Sequence, residues 1–177
     1  MVTERAVFLD RDGVLAVPEF RDGRSFAPRS LADFRLYDDA PASLARLRAA
    51  GFKLVVVTNQ PDVGDGLVAL SLVEVMHRIL AAALPVDAIE SCYHGHHEIC
   101  DCRKPQPGML HRAAERFGID CRSSFMVGDR GSDVVAGQAA GCTTILIDLG
   151  YTMVDLGAPD HKVATLTEAT DIILARA

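Results

Sequence analysis

The sequence predicts a doubly wound α/β fold, in which helices cover both faces of a parallel sheet. Three observations support this fold class: short apolar runs recur along the chain, helical patterns lie between them, and the clearest runs end in polar residues. Strands that alternate with helices form parallel sheets, and strands buried on both faces are continuously apolar. We therefore expect a ligand site beyond the carboxyl ends of the strands.

The strands are predicted from runs of four or more mainly apolar residues. They lie at 6–9, 54–57, 124–127 and 144–147, and a weaker run lies at 88–93. Four or five parallel strands result. Three of them lead directly into polar residues, so those residues should meet at one edge of the sheet.

The helices are predicted where Leu, Ala and Arg dominate between the strands. Three of them end at a glycine, Gly51, Gly118 or Gly141, where C-terminal caps belong. The stretch 18–39 has no clear periodicity, and we interpret it as a long flap beside the site. The predicted helices lie at about 40–50, 71–83, 107–117, 132–140 and 166–175.

Size and charge limit the function classes. The 177 residues, with a mass of 19.0 kDa, favour a single domain over 1–177. The net charge is −6 without a basic run, so nucleic acid is not expected as a ligand. The longest apolar run, 79–86, contains a proline and is too short to span a membrane. No secretory signal pattern is present at the N-terminus, so we expect a cytoplasmic protein.

Two carboxylates stand close together at the end of the first predicted strand, Asp10 and Asp12. One carboxylate can attack phosphorus, while the other can protonate the leaving oxygen and later activate water. Such acids and a phosphate repel one another unless cations are present. Asp129 and Asp133 can supply ligands for Mg²⁺, and Lys104 can supply a positive side chain. As isolated features, these acids could equally be loop and cap residues.

Four segments resemble the four motifs of the haloacid dehalogenase (HAD) superfamily of phosphotransferases. They are Asp10-Arg11-Asp12-Gly13, Val57-Thr58-Asn59, Lys104-Pro105 and Gly128-Asp129-Arg130-Gly131-Ser132-Asp133. Their order and spacing fit, and the resemblance covers residues 6–147. It implies a HAD-like Rossmannoid fold and a phosphatase that forms a phosphoaspartate.

The resemblance also implies a role for each motif residue. Asp10 would be the nucleophile and Asp12 the general acid and base. Thr58 and the backbone after it would bind the phosphoryl group, Asn59 would contribute to substrate binding, and Lys104 would neutralise the phosphoryl charge. These roles agree with a reaction that depends mainly on positioning and charge neutralisation.

The same resemblance implies a catalytic Mg²⁺ site. The ion would be held by the carboxylates of Asp10 and Asp129 and by the backbone carbonyl of Asp12. Asp133 would orient Lys104 or a water molecule on the metal.

Many HAD members carry a cap domain between motifs. The segments that separate the motifs here are little longer than one strand and helix with their loops, so we expect a capless protein. Substrate choice would then come from the loops at 18–39, 61–67 and 92–103.

Four soft ligands lie close together in the segment 92–102. Cys92, His94, Cys100 and Cys102 have the composition of a closed tetrahedral zinc site. His96 or His97 could replace His94 in this set. Cys121 and Cys142 lie outside it, and we interpret them as plain buried thiols.

The segment 92–108 resembles the zinc-loop branch of the HAD superfamily, and so do Asp-Arg-Asp-Gly and Thr58-Asn59-Gln60. This resemblance implies a structural Zn²⁺ that fixes the loop carrying Arg103 and Lys104. Arg103 would grip a second phosphate or sugar hydroxyls, and Arg130 could act similarly. The alternative for both arginines is a surface salt bridge.

Two substrates remain open within this branch. The first is D-glycero-D-manno-heptose 1,7-bisphosphate, which would lose its 7-phosphate in the synthesis of nucleotide-activated heptose. The second is histidinol phosphate. The branch typically has Ser-Gly and then Arg-Gly after the second motif, where this chain has Pro61-Asp62 and Asp65-Gly66. These acids should repel a second phosphate and favour a cationic substrate.

A third interpretation is a non-catalytic phosphate-binding or interaction module. The complete set of motifs argues against it. The expected partner is thus a small phosphorylated metabolite, with no membrane or nucleic acid involved, and the expected state is a monomer or weak dimer.

Overall fold

The computed structural model describes residues 3–150 and 157–176. Within them, six strands form one parallel sheet in the order β5-β4-β1-β6-β7-β8, and β2 and β3 form a separate antiparallel hairpin. The strands are β1 (Ala6–Leu9), β2 (Glu19–Arg21), β3 (Arg24–Phe26), β4 (Lys53–Asn59), β5 (Ala88–Cys92), β6 (Phe125–Gly128), β7 (Thr143–Ile147) and β8 (His161–Val163).

Helices cover both faces of this sheet. Among the described helices, none is long and apolar enough to cross a membrane. The helices are α1 (Ala40–Ala49), α2 (Pro61–Gly64), α3 (Leu70–Ala83), α4 (Gly108–Phe117), α5 (Gly131–Ala140) and α6 (Leu166–Ala175). Buried residues of α1, α3 and α6 pack on one face, and those of α4 and α5 pack on the other.

The alternation of side chains along β1 explains why both faces are covered. Val7 and Leu9 lie in the core beneath α1 and α6, whereas Ala6 and Phe8 lie in the core beneath α4 and α5. All four side chains are buried, as a central strand requires. The fold class predicted from the continuous apolar runs is confirmed.

The structure contains more elements than the sequence predicted. The sheet has six parallel strands rather than four or five, because β8 adds three residues at the edge beyond β7. The flap contains the β2-β3 hairpin, and α2 forms a single short turn after β4. Each missed element has three or four residues, which is too short to establish a periodicity.

One local signal for the hairpin is present in the sequence. Asp22 and Gly23, at its turn, have φ angles of 50° and 73°. Asp-Gly is favoured in tight hairpin turns because both positions need positive φ. The three glycines predicted as helix caps also have positive φ.

The two thiols outside the cysteine-rich loop belong to the core under α4 and α5. Cys142 is buried, and Cys121 is partly buried against the same cluster. A hydrogen bond between them lowers the pKa of Cys121 and raises that of Cys142. Their placement agrees with the interpretation of both as packed thiols, although Cys121 is less enclosed than expected.

Candidate active site

The carboxyl ends of three neighbouring strands bring the motif residues together. Asp10 follows β1, Thr58 lies in the last two residues of β4, and Asp129 follows β6. Because β1 lies between β4 and β6, these ends are adjacent. The expectation that these residues meet at one edge is therefore confirmed, although Thr58 and Asn59 lie within β4 instead of following it.

Lys104 connects these strands through its buried ammonium group. Its Nζ donates to Asp10 Oδ1 at 2.9 Å and to the Val57 carbonyl at 2.7 Å, and it lies 2.7 Å from Asp133 Oδ1. Burial by itself lowers the pKa of Lys104, but the charges of Asp10 and Asp133 outweigh this effect and raise it above the usual value. Lys104 is therefore positively charged near pH 7.

Three buried carboxylates lie close together at this site, and two of them pair with Lys104. Asp10, Asp129 and Asp133 each offer an oxygen, and these oxygens lie within 4.8 Å of one another. Gly13 has a φ of 98°, and a Cβ there would lie 2.2 Å from Asp129 Oδ2, so only glycine permits this approach. The three carboxylates carry more negative charge than the single ammonium of Lys104 offsets. Oxygen ligands with such an excess of negative charge suit a hard divalent cation.

Protein donors engage both carboxylate oxygens of Asp133. Oδ1 pairs with Lys104, while Oδ2 accepts from the backbone N–H groups of Asp129 and Arg130 at 3.1 and 3.0 Å. Asp133 lies in the first turn of α5, where a carboxylate is favoured. This geometry supports the predicted role of Asp133 in orienting Lys104.

Asp12 contacts a different set of side chains, those of Arg11 and Gln60. Arg11 Nη2 donates to Asp12 Oδ2 at 2.8 Å, and Arg11 Nε lies 3.1 Å from each carboxylate oxygen. Gln60 Nε2 donates to Asp12 Oδ2 at 2.9 Å and to Thr58 Oγ1 at 3.0 Å. Gln60 thus links the predicted acid and base to the predicted phosphoryl-binding residue.

Arg11 is itself enclosed, with 0% of its surface exposed. Its Nη1 lies 3.2 Å from His77 Nε2, and its guanidinium lies 5.5 Å from the Phe34 ring centroid. Burial, and secondarily the charge of Arg11, lowers the pKa of His77 to about 4. His77 is therefore neutral near pH 7, and its Nε2 accepts the hydrogen bond, since a guanidinium can only donate.

The four predicted soft ligands converge beside β5. Cys92 Sγ lies 2.8 Å from Cys102 Sγ and 3.7 Å from Cys100 Sγ, and His94 Nδ1 lies 3.4 Å from Cys92 Sγ and 3.2 Å from Cys102 Sγ. His94, rather than His96 or His97, supplies the imidazole. Burial, followed by a hydrogen bond with Cys102, raises the pKa of Cys92 to about 12. Three thiols and one imidazole could hold a metal ion here.

The three residues predicted to bind substrate, Asn59, Arg103 and Arg130, also have partners within the protein. Asn59 Oδ1 accepts from the Lys104 N–H at 3.0 Å, and Asn59 Nδ2 donates to the Lys104 carbonyl at 2.9 Å. Arg130 Nη2 donates to the Ser25 carbonyl at 2.8 Å and to its hydroxyl at 2.7 Å. Asn59 thus fixes the backbone of Lys104, and Arg130 ties α5 to the hairpin.

Arg103 binds the backbone of the cysteine-rich loop instead of projecting as a free cation. Its guanidinium donates to four carbonyls, at 2.6 Å for Glu98, 3.2 Å for His94 and 3.3 Å for His96, and also to Gly95. The salt bridge considered from the sequence is also absent for Arg103 among the described residues. Its partners are uncharged carbonyls, which a sequence pattern does not reveal.

The two acids in the loop after β4 are both engaged. Arg29 Nε donates to Asp62 Oδ2 at 2.7 Å. Asp65 accepts from the backbone N–H of His96 at 3.0 Å and also hydrogen-bonds to the imidazole of His96. The expected repulsion of a second phosphate is therefore weakened at Asp62, whose carboxylate is paired with the Arg29 guanidinium, whereas the partners of Asp65 leave its negative charge in place.

Sequence reasoning assigned no role to Arg11, Gln60 or His77. Arg11 and Gln60 lie inside the first and second motifs, so their position was a usable signal. His77 lies on α3, far from any motif in sequence, and only the fold brings it to Arg11.

Comparisons with known proteins agree with this geometry. Residues 101–169 match the family model described as HAD-hydrolase-like. A D-glycero-β-D-manno-heptose-1,7-bisphosphate 7-phosphatase of Pseudomonas aeruginosa is 34% identical over 158 residues, which is 86% of each chain. The Pasteurella multocida protein of the same name is 36% identical over 166 residues, or 87% of each chain.

Solved structures show the same similarity. The crystal structure of D,D-heptose 1,7-bisphosphate phosphatase from B. bronchiseptica, complexed with magnesium and phosphate, superposes with a TM-score of 0.81. The alignment covers 98% of this chain and 99% of that one at 28% identity.

Proposed function

Because the chain belongs to the HAD-like phosphatase family that includes these heptose-1,7-bisphosphate 7-phosphatases, we propose that it removes the 7-phosphate of D-glycero-D-manno-heptose 1,7-bisphosphate. The observation that carries the proposal is the cluster of Asp10, Lys104 and Asp133, in which Lys104 Nζ lies 2.9 Å from the first acid and 2.7 Å from the second. The described sheet is continuous from β5 to β8, which supports one phosphatase domain over 1–177.

The reaction would proceed in two steps. Asp10 bonds to phosphorus as the sugar oxygen leaves with a proton from Asp12. Water then bonds to the same phosphorus, Asp12 takes its proton, and the bond from phosphorus to Asp10 breaks. Lys104 offsets the charge near Asp10, and Thr58 lies at the adjacent end of β4 to bind the phosphoryl oxygens.

The acidic cluster fits the Mg²⁺ that the mechanism requires. Asp10 and Asp129 would hold the ion with the Asp12 carbonyl, while Asp133 keeps Lys104 in place. Bound Mg²⁺ would supply positive charge to the phosphoryl oxygens. That the B. bronchiseptica structure is complexed with magnesium and phosphate supports this assignment.

The second metal would be a structural Zn²⁺ held by Cys92, His94, Cys100 and Cys102. Four protein ligands close a tetrahedral site, so no position remains for a reacting water. The ion would fix the loop that leads into Lys104, whose backbone is clamped by Asn59.

Histidinol phosphate is the weaker candidate substrate. Its case depended on Asp62 and Asp65 as free acids for a cationic substrate, but Arg29 and His96 occupy them. Among the relatives compared, the names specify the heptose bisphosphate. We therefore favour the bisphosphate.

The test compares kcat/KM for heptose 1,7-bisphosphate and histidinol phosphate in the presence of Mg²⁺. We expect clear preference for the bisphosphate, with phosphorus NMR detecting loss of the 7-phosphate and retention of the 1-phosphate. Preference for histidinol phosphate, or loss of the 1-phosphate, would contradict the proposal. Asp10→Asn serves as the inactive control.

A further inference from the structure

The fully buried arginine between the two catalytic aspartates has a defined geometry that the proposed reaction does not yet use. We propose that Arg11 is a positioning residue that anchors Asp12 by Oδ2 and leaves Oδ1 to carry the proton. The inference rests on the proposed function, because it assigns a role within the same two-step hydrolysis.

The hydrogen bonds to the two oxygens of Asp12 are unequal. Oδ2 accepts from Arg11 Nη2 at 2.8 Å and from Gln60 Nε2 at 2.9 Å, and it shares Arg11 Nε. Among the residues that the structure describes, Oδ1 has only the shared Nε contact, at 3.1 Å. Placing a proton on Oδ2 would disrupt two charge-assisted or buried hydrogen bonds, whereas a proton on Oδ1 leaves them intact.

Arg11 is held firmly enough to act as an anchor. Its side chain is enclosed and rests against Phe34, and Nη1 bonds to the neutral His77. Its own carbonyl accepts from the backbone N–H groups of Leu15 and Ala16 at 2.9 and 2.8 Å. Because its backbone and its guanidinium are both held, Arg11 presents the planar guanidinium to the carboxylate in one orientation.

This anchoring matters in both chemical steps. In the first step, Oδ1 gives its proton to the leaving oxygen while the bond from that oxygen to phosphorus breaks and the bond from Asp10 forms. In the second, Oδ1 takes a proton from water as the water oxygen bonds to phosphorus and Asp10 is released. Asp12 Oδ1 must therefore point toward the same side of the phosphorus atom in both steps, where the sugar oxygen leaves and the water oxygen enters.

The test varies how strongly the leaving group needs a proton. We would measure kcat/KM for phenyl phosphate and p-nitrophenyl phosphate with Mg²⁺ in wild type and Arg11→Met. Nitrophenolate leaves readily without a proton, so loss of positioning should affect it little. For phenyl phosphate, we expect a fall on the order of 100-fold, the usual scale of general acid catalysis.

Two further variants separate positioning from folding. His77→Leu removes the partner of Arg11 Nη1 without touching Asp12, and it should lower the phenyl rate selectively by a few-fold, even if Arg11→Met does not fold. His77→Gln retains an acceptor and should remain close to wild type. Arg48→Met breaks a 2.8 Å ion pair with Asp87 at the opposite edge of the sheet and should affect neither ester.

A fall that is equal for both esters in Arg11→Met and His77→Leu would overturn the inference, and so would unchanged rates. The same measurements on wild type and Asp10→Asn test the proposed phosphatase activity separately. If wild type hydrolyses both esters and Asp10→Asn does not, the phosphatase stands whatever Arg11 does. If wild type hydrolyses neither ester, the inference about Arg11 fails, while the proposed function is decided by the heptose bisphosphate assay.

Discussion

Arg29 and Asp62 illustrate how one ion pair changes the interpretation of a charge in the sequence. Asp62 suggested an acidic rim, but its carboxylate accepts from Arg29 Nε at 2.7 Å, and this hydrogen bond raises the pKa of Arg29. Asp65 is similarly engaged, and its hydrogen bond with His96 lowers its pKa. The charge of Asp62 is therefore offset by Arg29, whereas the lowered pKa keeps Asp65 in its charged form.

A charge cycle at this pair tests its influence on substrate choice. Arg29→Met should leave Asp62 uncompensated and lower the kcat/KM ratio of heptose bisphosphate to histidinol phosphate by a few-fold, limited by solvent screening. Arg29→Met/Asp62→Asn should restore the ratio to near the wild-type value. An unchanged ratio in Arg29→Met would place the pair away from the bound substrate.

At the scale of elements, the cysteine-rich loop is held in three ways. Its four soft ligands converge, and the Arg103 guanidinium donates hydrogen bonds to four of its backbone carbonyls. The loop after β4 also packs closely against it. A Cβ on Gly64 would lie 2.2 Å from the backbone nitrogen of Gly95, so the two loops pack backbone against backbone. The loop therefore has a fixed shape where it leads into Lys104.

Removal of two cysteine ligands tests the proposed zinc. Cys100→Ser/Cys102→Ser should lose the one Zn²⁺ per chain and lower Tm by ~5–10 °C, because the binding energy of a structural ion is partly folding energy. The measurements are elemental analysis and thermal melting. Cys121→Ser/Cys142→Ser is the matched control, and it should keep its zinc. One zinc still bound to the first variant would refute the ligand assignment.

α3 contributes a titratable group to the core of the site through His77. In the unfolded chain this histidine takes a proton at about pH 6.5, whereas burial holds its folded pKa at about 4. The unfolded state therefore binds more protons between these values, so the free energy of unfolding falls as pH falls through this window.

Comparison with His77→Gln isolates this contribution. Between about pH 7 and about pH 5, wild type should lose up to about 2 kcal/mol more of its free energy of unfolding than the variant loses. Urea denaturation at both pH values measures the difference. Parallel losses in the two proteins would mean that His77 titrates normally in the folded state.

For the whole molecule, the predictable features follow from local patterns. Continuous apolar runs identified the four inner strands and a weaker run identified the edge strand β5, while the polar residues after three inner strands identified the edge where Asp10, Thr58 and Asp129 meet. A parallel sheet places all carboxyl ends on one side, so strand type and motif position together determine the site. The convergence of the cysteines with His94 followed from close spacing within one loop.

The features that the sequence did not predict depend on contacts between distant residues. Asn59, for example, hydrogen-bonds to the backbone of Lys104, 45 positions further along the chain. Arg11 is held by a hydrogen bond to His77 on α3, which lies 66 positions further along the chain. No local periodicity records such pairings.

The central claim for the molecule is that Asp10 becomes phosphorylated during turnover. Its carboxylate lies at the end of β1 with Lys104 Nζ at 2.9 Å, while Asp12, the proposed acid and base, accepts hydrogen bonds from Arg11 and Gln60. Asn at position 10 has nearly the same shape, but its amide cannot serve as the nucleophile that forms an acyl phosphate. Asp10→Asn should therefore fold normally and show no turnover.

Mass spectrometry of acid-quenched enzyme tests this claim most directly. Wild type mixed with substrate and Mg²⁺ and quenched within one turnover should carry one added phosphoryl group on the peptide that contains Asp10. The Asp10→Asn protein, with an unchanged melting temperature, should carry none. A phosphoryl group found on another residue, or phosphate release by purified Asp10→Asn at the wild-type rate, would contradict the account.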